Sequence, residues 1–416
     1  MKKRLVKIIK FFKAHTTFKY TVEVLLLGAV VAIFVFVLSH DITGGVLETI
    51  LGFLLSTLFL YAFRIFVGRF EDVLKINYDV EDMLRIYRGG KHYRKRLTFN
   101  GTSTEFAYAD TLINDNYRFE VVDDKNSVFE PDDFIMGNYE TLFSAHTGSA
   151  KINGITIRLD KYELKDGVCT LYLGRSTFFN HLVTNRAMDF DLFEGLTLRQ
   201  MYEYGPTISS IEDSKMSNHV GINALVFLGD GNLLIPRRKK DSTISKNKVT
   251  SSIAVKLNFP TDGRDEVDKH HFFYQNLIDN LSARTKIRPQ DLSTEHIEVE
   301  FLGFGQNLYE GGKPQFYFAV YLKNIDSATY LRLPKIHDAW AKLDVDKCIY
   351  VADYRSFRFK KDRLSFLSVK KNGKVKKQTF ECEMSYLCNL WHYEESRKLK
   401  ESRQAERVAA AESAAV

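Results

Sequence analysis

The residues best equipped for chemistry lie in a few polar clusters. Arg237, Arg238, Lys239 and Lys240 follow an apolar strand and carry the charge that two phosphates require. Thr184, Asn185 and Arg186, with Ser242, Thr243, Lys246 and Asn247, offer hydroxyl, amide and cationic groups suited to base and ribose edges. Arg175, Asn223 and Lys313 complete the candidate ligand-binding set, and Gly311-Gly312 before Lys313 would let a backbone approach phosphate. Phe178, Phe179, Tyr202 and Tyr204 could stack on a base. Each group has a plainer reading: a solvated hairpin edge, loop capping, core packing or an ordinary turn. His270 and His271 beside Asp268 are adjacent on a helix and point apart, so no metal or other cofactor is expected.

The elements that would position these residues follow from periodicity. ITIRLDKYEL and VCTLYLGR, in 155–175, form a hairpin about a Lys-Asp-Gly turn. STFFNHLVTNRAMDFD (176–191) reads as loop and short helix, and LTLRQMYEYGP (196–206) as a helix stopped by Gly205-Pro206. The strongest hairpin is HVGINALVFLGDGNLLIPRRKK (219–240). The run 266–287 is helical, with Phe273, Leu277 and Leu281 on one face. Strand, loop and strand follow over 297–322, and a polar-ended helix over 381–407.

The chain has 416 residues with 45% hydrophobic and 13% aromatic content, enough for two or three units. Four cysteines without paired spacing exclude a zinc ribbon or CxxC redox motif and fit a reducing compartment. The formal charge is +7, and Lys2, Lys3, Arg4, Lys7, Lys10, Lys13 and Lys19 precede any acid. Two apolar runs follow, 22–38 and 46–63, each of about 17–18 residues, the short end of what spans a bilayer. Lysine and arginine flank the pair but are missing from its linker, which predicts a membrane hairpin with both termini cytoplasmic. A basic cluster, GGKHYRKR (89–96), would then lie near the surface.

The hairpin, polar loop, helix and returning strand resemble the Nudix fold, an α/β/α sandwich. That family's box reads G-x5-E-x7-R-E-U-x-E-E-x-G-U, where U is aliphatic, and its glutamates hold Mg²⁺ against a diphosphate. With Ile287 and Leu281 as the aliphatic anchors, the other positions fall on Asp265, His271, Asp279, Asn280, Ala283, Arg284 and Lys286. None matches, so no enzyme of the usual mechanism is expected.

The wider resemblance is carried by GRSTFFNHLVTNRAMDFD (174–191), TLRQMYEYGP (197–206), SKMSNHVGINALVF (214–227), STISKNKVTSSIA (242–254) and LYEGGKPQF (308–316). With the hairpin, these look like the two-transmembrane, SMODS-associated Nudix effectors of bacterial CBASS antiphage defence. The resemblance implies a receptor for a cyclic di- or trinucleotide made by a functionally linked nucleotidyltransferase. Binding would drive homo-oligomer assembly, disruption of the lipid bilayer and abortive infection, with no DNA or RNA partner. The expected fold is a membrane protein: a two-helix hairpin plus a cytosolic α/β Nudix-like sandwich at the bacterial inner membrane. Its units would be 1–69 (basic N-terminus and spans), 70–96 (linker), 97–217 (mixed α/β), 218–407 (degenerate Nudix-like domain) and 408–416 (tail). The alternative is a membrane-tethered Nudix-type nucleotide diphosphate hydrolase using Asp265, Glu266 or Asp268.

Overall fold

The computed structural model describes residues 76–88, 91–113, 117–144, 153–193, 195–239, 245, 247–259, 272–334 and 345–414. The strands are β1 (Arg94–Phe99), β2 (Thr102–Ala107), β3 (Ala109–Ile113), β4 (Arg118–Val128), β5 (Ile155–Lys165), β6 (Val168–Thr177) and β7 (Gly221–Leu228). Then come β8 (Leu233–Arg238), β9 (Ile253–Lys256), β10 (Ile297–Asn307), β11 (Lys313–Leu322), β12 (Val345–Lys360), β13 (Arg363–Val369) and β14 (Val375–Glu381). The helices are α1 (Val80–Ile86), α2 (Asp133–Gly137), α3 (Tyr139–Ser144), α4 (Phe178–Val183), α5 (Leu198–Tyr202), α6 (Phe272–Thr285), α7 (Ser327–Arg332) and α8 (Met384–Ala414).

A nine-stranded sheet runs β14-β13-β12-β8-β7-β11-β10-β3, with β9 also paired to β7. Its centre is the parallel pair β7 and β11, and every β7 residue is buried. That is why GINALVFL is apolar without alternation: both faces are covered. Ile222, Ala224, Val226 and Leu228 face one core with Phe273, Leu277 and Leu281 of α6 and Ile157, Leu171 and Leu173 of the three-stranded sheet β4-β6-β5. Leu225 and Phe227 face the other, with Tyr386, Leu387, Leu390 and Trp391 of α8 and Leu97 and Phe106 of the ribbon β1-β2. The expected hairpins 155–175 and 219–240 both form, and α6 buries its expected face. The strand β3, from the expected 97–217 unit, pairs with β10 in the same sheet as the 218–407 strands.

The hairpin β7-β8 splays almost at once, pairing only at Phe227 and Leu233. β9 takes the vacated edge of β7, with Lys256 opposite Gly221 and Ala254 opposite Asn223. The Ser252 hydroxyl bridges the fork, accepting from the Val226 N–H at 2.9 Å and donating to the Leu234 carbonyl. β8 is thereby turned toward β12, and its last residue, Arg238, meets the start of α8. This divergence opens a space between strand ends that straight pairing would close.

The membrane architecture is corrected. Among the described residues no helix is long and apolar enough to cross a membrane. The longest, the 31-residue α8, leaves the core in the charged run RKLKESRQAER, where an uninterrupted apolar stretch would be needed. The expected spans 22–38 and 46–63, and the whole 1–69 unit, lie outside the described residues. The fold described is a mixed α/β assembly of sheets and helices. The expectation of a membrane protein with a two-helix hairpin, and of an inner-membrane placement with two spans and cytoplasmic termini, is corrected to this extent: the described helices do not support it.

Candidate functional site

A cavity of about 380 Å³ lies where β7 and β11 begin and β8 ends. Period two sets its floor: Gly221 and Asn223 on β7 lie beside Lys313 and Gln315 on β11, in register Gly221 to Gln315. The Asn223 amide donates to the Gln315 carbonyl oxygen. Lys256 of β9, Arg284 of α6 and Arg238 of β8 supply further cations, and Glu383, Met384 and Ser385 place the start of α8 on the wall. Tyr78, Phe178 and His219 add rings.

The loop between β10 and β11 is built to carry this charge. Asn307 accepts from the Tyr309 N–H at 3.1 Å, and Gly311 and Gly312 turn with φ of 59° and 81°. A Cβ on Gly311 would lie 2.5 Å from Met188 Sδ, so glycine is required twice over. Arg199 braces the turn, donating to the Leu308 and Tyr309 carbonyls at 2.8 and 2.9 Å and gripping Asp189 with two further bonds. The resulting turn presents Glu310 between Arg186, at 2.7 Å, and Lys313, at 3.3 Å.

The electrostatic balance is positive. Burial alone would raise the Glu310 carboxyl, but Lys313 and Arg186 outweigh it and hold the group below its ordinary value. Burial likewise opposes ionisation of Glu383, and Arg238, 3.4 Å away, overcomes it. Both carboxylates are thus ionised and already spoken for. Burial lowers Lys256. Burial, then His181, Lys313, Lys256 and Arg186, pushes His219 well down, so this ring is neutral. It lies 3.7 Å from the His181 ring, and its Nδ1 has no hydrogen-bond partner. Four cations and two carboxylates line the cavity.

Of the residues expected to bind ligand, Asn223, Arg238 and Lys313 come together here. Arg186 stands behind the wall, donating to Glu310 and, at 3.4 Å, to the Tyr78 hydroxyl. Asn185 is fully buried and donates to the Glu310 carbonyl at 2.8 Å. Thr184 is buried, donating to the Asn180 carbonyl and accepting from the Ser217 N–H. Arg175 makes a bidentate pair with Asp123 at 2.6 and 3.0 Å in the three-stranded sheet, away from the cavity lining. The Arg237 guanidinium lies 5.3 Å over the Phe380 ring, while Lys239 and Asn247 belong to the following turn. Ser242, Thr243 and Lys246 lie outside the described residues, as do Lys240, Asp265, Glu266, Asp268, His270 and His271. Phe178 reaches the cavity, whereas Phe179 packs on Phe143 and Tyr204 is exposed.

Sequence reasoning missed His219, Lys256, Arg284, Gln315, Glu383 and Tyr78. One signal was present: Asn223 is a polar interruption of the otherwise apolar β7, and His219, just ahead of that strand, has the same parity. Arg284 occupies a box position where the resembled family has a glutamate. Lys286, at the box's last glycine, has φ 62° at the end of α6. Among the described residues there is no cluster of three or more His, Cys, Asp or Glu able to hold a metal. The arrangement suits an anion with hydrogen-bonding edges, held by side chains. No known family model matches the chain, and no curated protein matches it.

Proposed function

We propose that the protein is a receptor for a phosphate-bearing nucleotide, and that its task is to hold the ligand intact. The carrying observation is the convergence of Arg238, Lys256, Arg284 and Lys313 on one cavity with the amides of Asn223, Asn307 and Gln315. The cations outnumber the carboxylates there, and each carboxylate already has a cationic partner. The start of the long helix α8 adds positive potential on the same wall. Phe178 and Tyr78 offer ring faces, and the amides offer both donors and acceptors to a base. The volume falls within the range of small-ligand sites, roughly 300–1,000 Å³. Arg284, standing where a metal-binding glutamate would be, supports binding over metal-assisted hydrolysis.

The resemblance supplies the ligand class within this reading: a cyclic di- or trinucleotide from a linked nucleotidyltransferase, in antiphage defence. A ligand can drive self-assembly only by favouring the assembled state. Calorimetry of the whole chain against a panel of cyclic di- and trinucleotides with Mg²⁺ tests it, with chromatography of the recovered ligand. The expected result is saturable binding with intact ligand, weakened about tenfold or more by Lys313→Ala, since a charge-assisted bond contributes about 1.5–3 kcal/mol. Breakdown of the ligand would make the protein an enzyme, and silence across the panel would overturn the receptor.

A further inference from the structure

The chain carries a second concentration of positive charge, none of whose residues lines the cavity. Between Asp353 and Glu381, ten lysines and arginines face three acids, an imbalance equal to the chain's whole excess of seven. This segment is the end of β12, the whole of β13 and β14, and the two turns joining them. All ten cations are exposed, and none forms an ion pair among the described residues. The sheet makes the arrangement rigid. Lys360 lies opposite Arg363, Arg358 opposite Ser365, and Lys377 opposite Leu367, so alternation puts these cations on one face. The turns add Lys361, with φ 56°, at one end of β13 and Lys371 at the other. At about 3.3 Å per residue the row is roughly 20 Å long.

Lysines on an edge strand often serve only to prevent sheet-to-sheet pairing. That need is met by β14, the edge strand, alone. Arg363 lies on β13, paired on one side to Lys360 and on the other to Glu381, and guards no edge. The face also lacks what other partners require. No Phe, Tyr or Trp in the segment is exposed, so it has no rings for stacking single-stranded bases, and its exposed large apolar side chains are Leu367 and Val375 alone. What remains is a band of exposed cations across three strands and two turns, in which Glu381 lies opposite Arg363 and Asp353 opposite Leu367. It matches a row of phosphates, and a 20 Å row spans about six steps of one duplex strand.

We propose that the outer face of β12-β13-β14 binds the sugar-phosphate backbone of duplex nucleic acid without reading its sequence. This runs against the expectation of no DNA or RNA partner, which came from the resemblance.

The test is fluorescence polarisation of a labelled 20-base-pair random duplex with the full-length chain, from 50 to 300 mM salt. The expected result is binding whose log K falls linearly with log salt. Arg363→Gln, Lys371→Gln and Lys377→Gln together should weaken it about tenfold or more and flatten the slope by roughly 2–3, about 0.9 per lost phosphate contact. These side chains are exposed, so an unchanged melting temperature is the check on folding. Equal affinity in the triple variant would overturn the proposal, as would absence of duplex binding at 50 mM salt. Loss of binding only when Lys2, Lys3, Arg4 and Lys7 are replaced by Gln would overturn it too. Vesicles of 30% phosphatidylserine in phosphatidylcholine are run alongside. Triple-variant-sensitive binding to these, without duplex binding, would assign the face to lipid and sink the nucleic-acid reading.

Discussion

The parallel pair β7-β11 has a cavity at each end, and the two differ in kind. The cavity at the strand starts measures about 380 Å³ and gathers more cations than carboxylates. The one at the strand finish is larger, about 450 Å³, and is floored by Phe227, Tyr321, Tyr354 and Tyr393. Its charges are matched: Glu298 pairs with Lys323 at 2.6 Å, and Glu300 with Lys400 at 2.7 Å. Glu300 also accepts from Tyr321 and Ser396, both at 3.0 Å. Size alone would choose the finish. Charge surplus chooses the start, because a surplus of desolvated cations costs folding energy that a bound anion offsets.

The comparison breaks first at Arg199. This guanidinium, 2% exposed, bridges Asp189, Tyr87 and two carbonyls of the loop that carries Glu310 and Lys313. Arg199→Ala should cost about 3–5 kcal/mol, the range for breaking a buried charge pair. Arg199→Lys should recover less than half, because an ammonium lacks the planar fork. Urea denaturation reads both, and a loss under about 1 kcal/mol would mean that the loop stands without its brace.

Glu203 comes next. It is 2% exposed, accepts from the Ser209 N–H at 3.1 Å, and burial raises its carboxyl to about 7 from 4.5. The folded state therefore keeps a proton that the unfolded chain has released. This contribution is full below about 4.5 and is lost as pH rises through 7, roughly 3 kcal/mol in all. Glu203→Gln should match the parent near pH 4.5 and melt progressively higher than it toward pH 8. Parallel melting curves across that range would remove pH sensitivity from the cavity's supporting loop.

Gly311→Ala should destabilise by on the order of 1–3 kcal/mol through its left-handed backbone, with the Met188 contact added. Thermal melting measures it, and a neutral result would show that the turn can relax. The smallest effect belongs to the other end. Lys323→Ala removes an ion pair whose side chains are 62% and 55% exposed, and should change stability by less than about 0.5 kcal/mol. A larger change by the same urea assay would mean that the finish is also under electrostatic tension.

What the sequence disclosed follows from range. Local pattern disclosed the hairpins 155–175 and 219–240, the face Phe273, Leu277 and Leu281, and the Gly-Gly-Lys turn. Of the thirteen expected ligand-binding residues, those that reach the cavity sit on the central strands or the strand ends beside them. Arg175 was equally plausible by type, but a long-range parallel pairing of β4 with β6 brings Asp123 to it. Tyr78 and Glu383 come from opposite ends of the described chain, and no window of sequence joins them. The basic face of β12-β13-β14 was only partly legible: KKNGKVKK (370–377) is a local run, but cross-strand pairing is needed to bring Arg358, Lys360 and Arg363 onto the face of Lys377.

Tyr78 lies ahead of α1, stacks on Tyr309 at 5.7 Å and forms part of the cavity wall. The usual economy of trimming a chain to its first helix would start a fragment near residue 80. Such a fragment would keep every sheet, fold, and still return a misleadingly poor affinity. Its defect would come from the cloning boundary, so any shortened version meant for ligand work has to begin upstream of Ile76.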